Sequence, residues 1–465
     1  MKKVALSALA AVVISGVASA DALTLYSDPK TGQVYTTPGE GRVEMGDFIS
    51  AKDVDMAQRE GESAFSEYKE NMKKYTNVTS KAKKLDFSGT VYFGMTSANP
   101  ATDLDIAGGD QSNYADTSTG FELRRGYLQL KAYFNDTDYF RFTLDTTKEL
   151  ASSTSSSGGS GYANTFFKYA YLYLEDVLPY TGVEVGISHR PWIDYEEHNG
   201  WHYRSFNKVV LEEKGTATEA GVDLINSADL GFNLKTITDM FSSEIGIFNG
   251  EGYHADKEAA NQENSSDLSL EWRLTGHLIG SGKKVGKNDR TKDTYANLST
   301  YGLISKNHKD DKAALDQAAT AALKSEYDRS IYGIHAVYNQ PEFLIAAQYF
   351  MADDEAQEQT TATGWNKREY KGYSINAEVR PVTDWTIIGR YDNYEMDDTA
   401  LNGTAMSSSV EGDKVIAGLA YKYSKNVSFI GSAKFIDEQY TAGALAGFDT
   451  GESKDVYMLT TEVKW

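Results

Sequence analysis

The chain of 465 residues contains no cysteine. That excludes disulfide staples, CxxC redox chemistry, haem attachment through CxxCH and cysteine-ligated metals, so the fold must rest on packing and backbone hydrogen bonds. Long hydrophobic runs are also missing. Beyond the first twenty residues no apolar stretch reaches the ~18 residues that a spanning helix needs. Positive charge is in deficit, with 46 Lys and Arg against 67 Asp and Glu and a formal net charge of -21. Nucleic acid is not expected as a partner, because its phosphates would be repelled. Signatures of catalysis are lacking too: neither HExxH nor GxSxG occurs, so no enzyme and no cofactor is expected. Gly250-x-Gly252-x-x-Ala255 fits a dinucleotide fingerprint in letters only, since a polar loop rather than a helix follows it.

What is present begins with a leader. Lys2 and Lys3 form a basic start, Val4 to Val17 an apolar stretch with small residues, and Ala18-Ser19-Ala20 a cleavage site of A-x-A type. Residues 1–20 therefore read as a signal peptide for export through the inner membrane, with the mature chain starting at Asp21. Cleavage takes two of the 46 basic side chains and leaves 44 against 67 acidic groups, a net charge of -23. An acidic surface of this kind suits lipopolysaccharide phosphates held through bridging divalent cations.

From Leu85 to Trp465 the sequence repeats runs of roughly ten residues with period-two alternation, each ended by a break. Leu268, Leu270, Trp272 and Leu274 fall on one face, and Ser269, Glu271, Arg273, Thr275 and His277 on the other. A soluble sandwich would alternate as well, but three features favour a membrane barrel. Tight breaks, such as Asn135 to Asp138 and Pro381 to Asp384, alternate with long polar ones. Aromatics gather at strand ends as interfacial girdles do, among them Trp385, Tyr457 and Trp465. The last strand, Tyr457 to Trp465, ends on an aromatic, as bacterial outer-membrane proteins do for their barrel-assembly machinery. The pattern predicts an all-β fold: a transmembrane antiparallel β-barrel of about sixteen strands over residues 86–465, located in the outer membrane. The sixth strand, 219–236, is the least regular because Asn226 and Ser227 interrupt it.

Residues 21–85 lie outside this pattern. Leu23 to Tyr35 reads as a short hairpin around Pro29 to Gly32, and Asp47 to Lys84 as helix. Val54, Ala57, Gly61, Ala64, Tyr68, Asn71, Tyr75 and Val78 keep heptad spacing. A periplasmic trimeric coil and a helix tucked into the barrel mouth are both compatible with it.

Gly120-Phe-Glu-Leu-Arg-Arg-Gly-Tyr-Leu-Gln-Leu-Lys131, followed by Tyr139-Phe-Arg-Phe-Thr-Leu-Asp145, is similar to the early hairpin of the phosphate-selective porin O/P family. Val185-Gly-Ile-Ser-His-Arg-Pro191 and Gly246-Ile-Phe-Asn-Gly250 resemble further motifs of that family. The resemblance implies a sixteen-stranded, homotrimeric porin. It does not carry phosphate selectivity with it, because the long loops here are acidic where that family places a lysine-rich collar.

Alternation sends Arg125, Lys131, Arg141, Arg190, Arg273, Arg380, Arg390, Lys422, Lys434 and Lys464 to the barrel interior, with Asp145, Glu184, Glu271, Glu378, Asp392 and Glu462. These are candidate pore-lining groups; the alternative is that they only neutralise one another across strands. Between the fifth and sixth strands, Trp192, Tyr195, Trp201, Tyr203 and Arg204 mark a candidate constriction loop folded inward. His198 and His202 beside Glu196 and Glu197 offer metal ligands only superficially, since Asn199-Gly200 breaks the helix that would align them. Asp310 to Tyr327 reads as a helix in an external loop. Acidic groups such as Asp103, Asp105, Asp353, Asp354 and Asp397 are assigned to such loops. The function expected is a water-filled channel for passive diffusion of small hydrophilic solutes or ions, in contact with outer-membrane lipid and lipopolysaccharide. A structural or adhesive barrel with a filled lumen is the alternative.

Overall fold

The computed structural model describes residues 23–48, 82–102, 118–147, 164–213, 220–250, 268–284, 288–308, 327–356, 365–400, 408–442 and 449–465, with Ser66 and Gly252 singly. The chain divides into two compact units, Met1–Lys83 and Lys84–Trp465. In the first, β1 (Leu23–Ser27) pairs with β2 (Val34–Tyr35) and β3 (Val43–Phe48) in the order β2-β1-β3. Asp28 turns the β1–β2 hairpin: its Oδ1 accepts from Lys30 N (2.8 Å), and its carbonyl from Gly32 N (2.8 Å). Gly32 sits at φ 70°, in the left-handed region that glycine enters freely. The third strand, β3, has no counterpart in the sequence reading. Most of the helical stretch expected over Asp47–Lys84 lies outside the described residues, as do the leader and the external-loop helix except for its end at Tyr327, which is a strand residue. At its ends Asp47 and Phe48 belong to β3 and Lys84 opens the next strand, while Ser66 is helical.

The second unit is a closed antiparallel barrel of sixteen strands. They are β4 (Lys84–Thr102), β5 (Ser118–Tyr133), β6 (Tyr139–Thr147), β7 (Asn164–Leu178), β8 (Thr181–His189), β9 (Ala228–Ile237), β10 (Phe241–Phe248) and β11 (Ser269–Ile279). The circuit continues through β12 (Tyr295–His308), β13 (Tyr327–Gln340), β14 (Phe343–Ala356), β15 (Trp365–Val382), β16 (Trp385–Ala400), β17 (Ser408–Lys422), β18 (Val427–Ala442) and β19 (Asp449–Lys464). Each strand pairs with its successor, and β19 returns to β4. The sixth barrel strand is shorter than expected. It begins at Ala228, because Val222, Leu224 and Ile225 run inside the barrel instead of extending its wall. Asp353, Asp354 and Asp397 are strand residues, of β14 and β16, rather than loop residues. Asp354 points inward, where it accepts two hydrogen bonds from Arg329 (2.7 and 2.8 Å).

Polarity is inverted relative to a water-soluble protein. Leu270 and Ile345 face outward, 45% and 47% exposed, while Glu271 and Arg273 face inward at 3% and 1%. Such apolar exposure continues around the barrel, through Phe93, Ile245, Ile334, Ile387 and Leu459. Exposing a belt of this extent to water would be strongly unfavourable, and lipid removes the penalty.

The seam is closed by the last residue. Trp465 N donates to Gly89 O (3.1 Å), and Gly89 N donates to Trp465 O (3.2 Å). The indole covers Gly89, where a Cβ would come 2.1 Å from a ring carbon. A glycine is therefore required under the ring, and the ring in turn shields the backbone that glycine exposes.

Candidate functional site: an inward loop and the cavity beneath it

The segment between β8 and β9 folds into the barrel over its described residues, 190–213 and 220–227. Its neck is fixed where Arg190 Nε donates to both oxygens of Glu271 (2.9 Å each) and Arg190 N donates to Ser227 O (3.2 Å). Helix α1 (Ile193–Asn199) follows. Trp192 stacks on Tyr301 with centroids 3.7 Å apart and planes 10° apart, and Tyr301 lies on Gly333. Ile193, Trp201, Phe206 and Leu211 are buried against inward-facing Leu303, Ile331, Phe350 and Ile388. On this side of the barrel the strands carry apolar residues on both faces, towards the outside and under the loop, with charged and amide side chains interspersed on the inner one.

Polar latches hold the loop in place. Arg390 Nε donates to Asp392 (2.7 Å) and Nη1 to Lys208 O (2.7 Å), with its guanidinium 4.7 Å from the Trp201 ring. Lys414 Nζ donates to Ala220 O and lies 3.3 Å from Glu213 and 3.1 Å from Asp392; Lys434 stands 3.8 Å from Glu213. Asn376 Nδ2 donates to Gly200 O (2.7 Å), Tyr295 Oη to Asn199 O (3.0 Å) and Arg329 Nη1 to Leu224 O (3.0 Å). Each such bond satisfies a loop carbonyl that could not be left bare in the interior.

The opposite wall, β4–β8, contributes little to this apolar packing beyond Ala98 of β4. Between it and the loop lies a cavity of about 770 Å³, bordered also by the short turns Thr383–Asp384 and Ser424–Asn426. Seven Lys or Arg line it (Arg141, Lys168, Arg204, Arg290, Lys422, Lys425, Lys464) against five Asp or Glu (Asp194, Glu197, Asp289, Asp384, Glu462). At its roof Arg204 is clamped between Glu197 and Glu212. Burial works against the Glu212 charge, but Arg204 and Lys208 outweigh it and hold that carboxyl below its ordinary range. Asp194 is likewise held low, with His189, His198 and Lys235 overcoming burial. Glu196, on the loop's other side, meets no such excess of cations, and burial pushes its pKa up to about 8.

Two β-bulges enrich this wall in cations. Tyr92 pairs with Arg125 and Phe93 with Leu123, so Arg124 is an extra residue. Both arginines then project inward: Arg124 Nε donates to Ser205 O of the loop (2.8 Å), and Arg125 reaches Asp145 (2.5 Å). In β7, Thr143 pairs with Tyr169 and Leu144 with Phe167, which makes Lys168 the extra residue. Lys168 Nζ donates to Tyr127 Oη (3.1 Å). Strict alternation had assigned neither Arg124 nor Lys168 to the interior. The signal in the sequence was a phase break: the Arg124-Arg125 doublet, and Phe167 followed at once by Lys168-Tyr169.

The other interior candidates occupy two settings. Arg141 and Lys422 border the cavity, Lys131 lies 4.7 Å over the Tyr139 ring, and Lys464 pairs with Glu462 (3.1 Å). Arg190, Arg273, Arg380, Arg390 and Lys434 are buried within ion pairs. Of the loop residues, Trp192, Tyr195, Trp201 and Tyr203 are buried at 1–3% exposure. Trp385 and Trp465 face outward at the short-turn ends, whereas Tyr457 faces outward well inside β19. His198 bonds to Asp194 O (2.7 Å), and among the described residues no group of three or more His, Asp or Glu is placed to hold a metal ion. The turn between β11 and β12 was overlooked by sequence reasoning. Its Arg290 Nη1 donates to Glu378 (2.6 Å) and to Tyr203 Oη (3.1 Å), touching the loop from beneath.

No family model matches this chain, and no curated protein sequence matches it. Among solved structures, the barrel is similar to the anion-selective porin from Comamonas acidovorans (TM-score 0.52, 11% identity, 82% of this chain and 99% of that one). It is similar also to in-vitro folded OmpT, an outer membrane protein of Vibrio cholerae, in its trimer form (TM-score 0.50, 10% identity, 82% and 99%). At these identities the likeness is one of fold, that of outer-membrane barrels.

Proposed function

We propose that the chain is an outer-membrane porin, through which small hydrophilic solutes and ions diffuse passively. The observation that carries this reading is the inverted polarity of a closed sixteen-stranded barrel, combined with a charged cavity that the inward loop leaves open. Closure satisfies every strand edge, as lipid demands, and an outward apolar belt is stable only there. Sixteen strands enclose room for water, and the loop narrows that room to the side walled by β4–β8.

The same reading takes residues 1–20 as an export leader, Trp465 as the handle for barrel assembly, and lipopolysaccharide as neighbour of the acidic external loops. It also takes a homotrimer as the assembled form. Kinship with the phosphate-selective porin O/P family rests on the Gly120–Lys131 motif, whose arginine doublet forms the β5 bulge. Passive transport asks for no catalytic group.

Single-channel recording of the refolded full chain in a planar bilayer tests the proposal, and discrete conductance steps in KCl are expected. A chain that shifts on heating in detergent gels, as folded barrels do, yet never conducts would overturn it. The result would favour a filled structural barrel, a reading to which the buried extent of the loop lends weight.

A further inference from the structure

We propose that the inner wall formed by β5, β6 and β7 is a binding subsite for small organic anions that carry an aromatic ring, such as monocyclic aromatic carboxylates. This rests on the channel reading and names a solute class for it. The register builds the site in levels. Lys131 opposes Arg141, and Arg141 opposes Tyr171. One level nearer the short turns, Tyr133, Tyr139 and Tyr173 stand in a row, with centroids 5.3 and 5.2 Å apart. One level further in, Thr143 opposes Tyr169. A pair of cations thus lies between two levels of rings, about 7 Å apart from each along the strands. The guanidinium of Arg141 is 4.5 Å from the Tyr169 centroid, and Lys131 Nζ is 4.7 Å from that of Tyr139.

These two cations differ from the buried interior arginines in what they pair with. Arg125, Arg190, Arg273, Arg329 and Arg390 each hold a carboxylate within 3.1 Å. Among the described residues no carboxylate oxygen comes within 4.0 Å of Lys131 or Arg141. The acids nearby are engaged elsewhere: Asp86 by Lys84 (2.7 Å), Glu184 by Lys235 (3.1 Å), and Asp194 by His189 (3.4 Å) and His198 (3.5 Å). The hydrogen-bond partners of Arg141 carry no negative charge: Thr143 (3.2 Å), His189 (2.9 Å) and Tyr171 (3.4 Å). Arg141, Thr143, Tyr169 and His189 all border the cavity, so a solute from the short-turn side reaches them.

A guanidinium without a carboxylate, facing water on a bed of tyrosines, accepts an anion by charge-assisted hydrogen bonds, and the rings accept a planar face. Inorganic phosphate would use the cations and leave the rings idle. A neutral ring would stack and leave the cations idle. An aromatic carboxylate uses both.

The test is current block in the planar bilayer, with benzoate, acetate, inorganic phosphate and benzyl alcohol added on the cavity side in KCl. Benzoate is expected to interrupt the current saturably, at a half-blocking concentration about tenfold below each of the other three. Arg141→Gln should raise that concentration about tenfold, and Tyr169→Leu should erase the difference between benzoate and acetate. Comparable block by acetate, phosphate or benzyl alcohol in the unaltered protein overturns the subsite, without reliance on any variant. A channel that conducts KCl and ignores benzoate overturns it too while leaving the porin intact, whereas a chain that conducts nothing removes the porin reading itself.

Discussion

Replacing Lys414 by methionine tests whether the inward loop is held by charge. The Lys414 ammonium sits between Glu213 (3.3 Å) and Asp392 (3.1 Å), donates to Ala220 O, and all three side chains have no exposed surface. Methionine keeps the length and the apolar stem, so little packing is lost. What remains is a pair of buried carboxylates short of one cation, with Arg390 still on Asp392 and Lys434 at 3.8 Å from Glu213. Breaking a buried ion pair on one side costs about 3–5 kcal/mol. On the equilibrium between seated and released loop this is a factor of roughly one hundred to a few thousand, about tenfold for each 1.4 kcal/mol. The wall should survive, because β17 is bonded along its length to β16 and β18. Lys414→Met should therefore fold as a heat-shifting barrel, carry a larger and noisier single-channel current, and admit protease between residues 205 and 225. Glu213→Gln added to it should restore part of the original current, since the uncompensated charge is then removed. Unchanged current together with an uncut loop would show that the apolar seat alone holds the segment, and the electrostatic argument would fail.

Deleting Trp465 should lower the yield of membrane-inserted barrel, and Gly89→Ala should do the same because its methyl would strike the indole; insertion at normal levels in both would refute the seam argument. Selectivity should be mildly anionic in molar salt, where the Debye length is about 3 Å and the seven-to-five excess of cations around the cavity acts alone. At 0.01 M the length is about 30 Å and the acidic groups that the sequence assigns to external loops should draw it towards cations, so reversal potentials that stay cationic in molar salt would contradict the assignment. Glu196, with its pKa raised from 4.5 to about 8 by burial, keeps a proton that the unfolded chain has lost. Its contribution to stability is therefore full below about pH 4.5, falls as pH rises towards 8 and is flat beyond. Melting curves in detergent should show Glu196→Gln flattening that slope, and identical slopes would remove the claim.

The barrel was legible because a strand has a period of two and a lipid-facing wall needs one apolar and one polar face at every turn. Leu268 to His277 satisfied that rule residue by residue. The rule failed where something other than water or lipid met the strand. Inward positions such as Tyr301, Leu303, Ile331 and Ile416 are apolar because the loop sits on them, and alternation alone cannot distinguish an apolar residue under a loop from one facing lipid. The loop's own aromatics announced burial, but its seat, shaped by Gly333 beneath Tyr301 and by carbonyls waiting for Arg390 and Lys414, depends on strands far away in sequence. Arg124 and Lys168 escaped because a single inserted residue shifts the phase, and nothing in a period of two marks which residue is the insertion.

Those two bulges also bear on how such a chain can change over generations. Along most of a barrel strand, losing or gaining one codon turns every later side chain to the wrong face, charges into lipid and leucines into water, and such a change would be purged at once. At Arg124 and at Lys168 the phase has already slipped by one. Loss of the extra residue there would return the strand to plain alternation and leave both flanks facing as they do now. These are places where the wall could be shortened or re-expanded by single residues, with the number of inward cations, rather than the fold, as what varies between descendants.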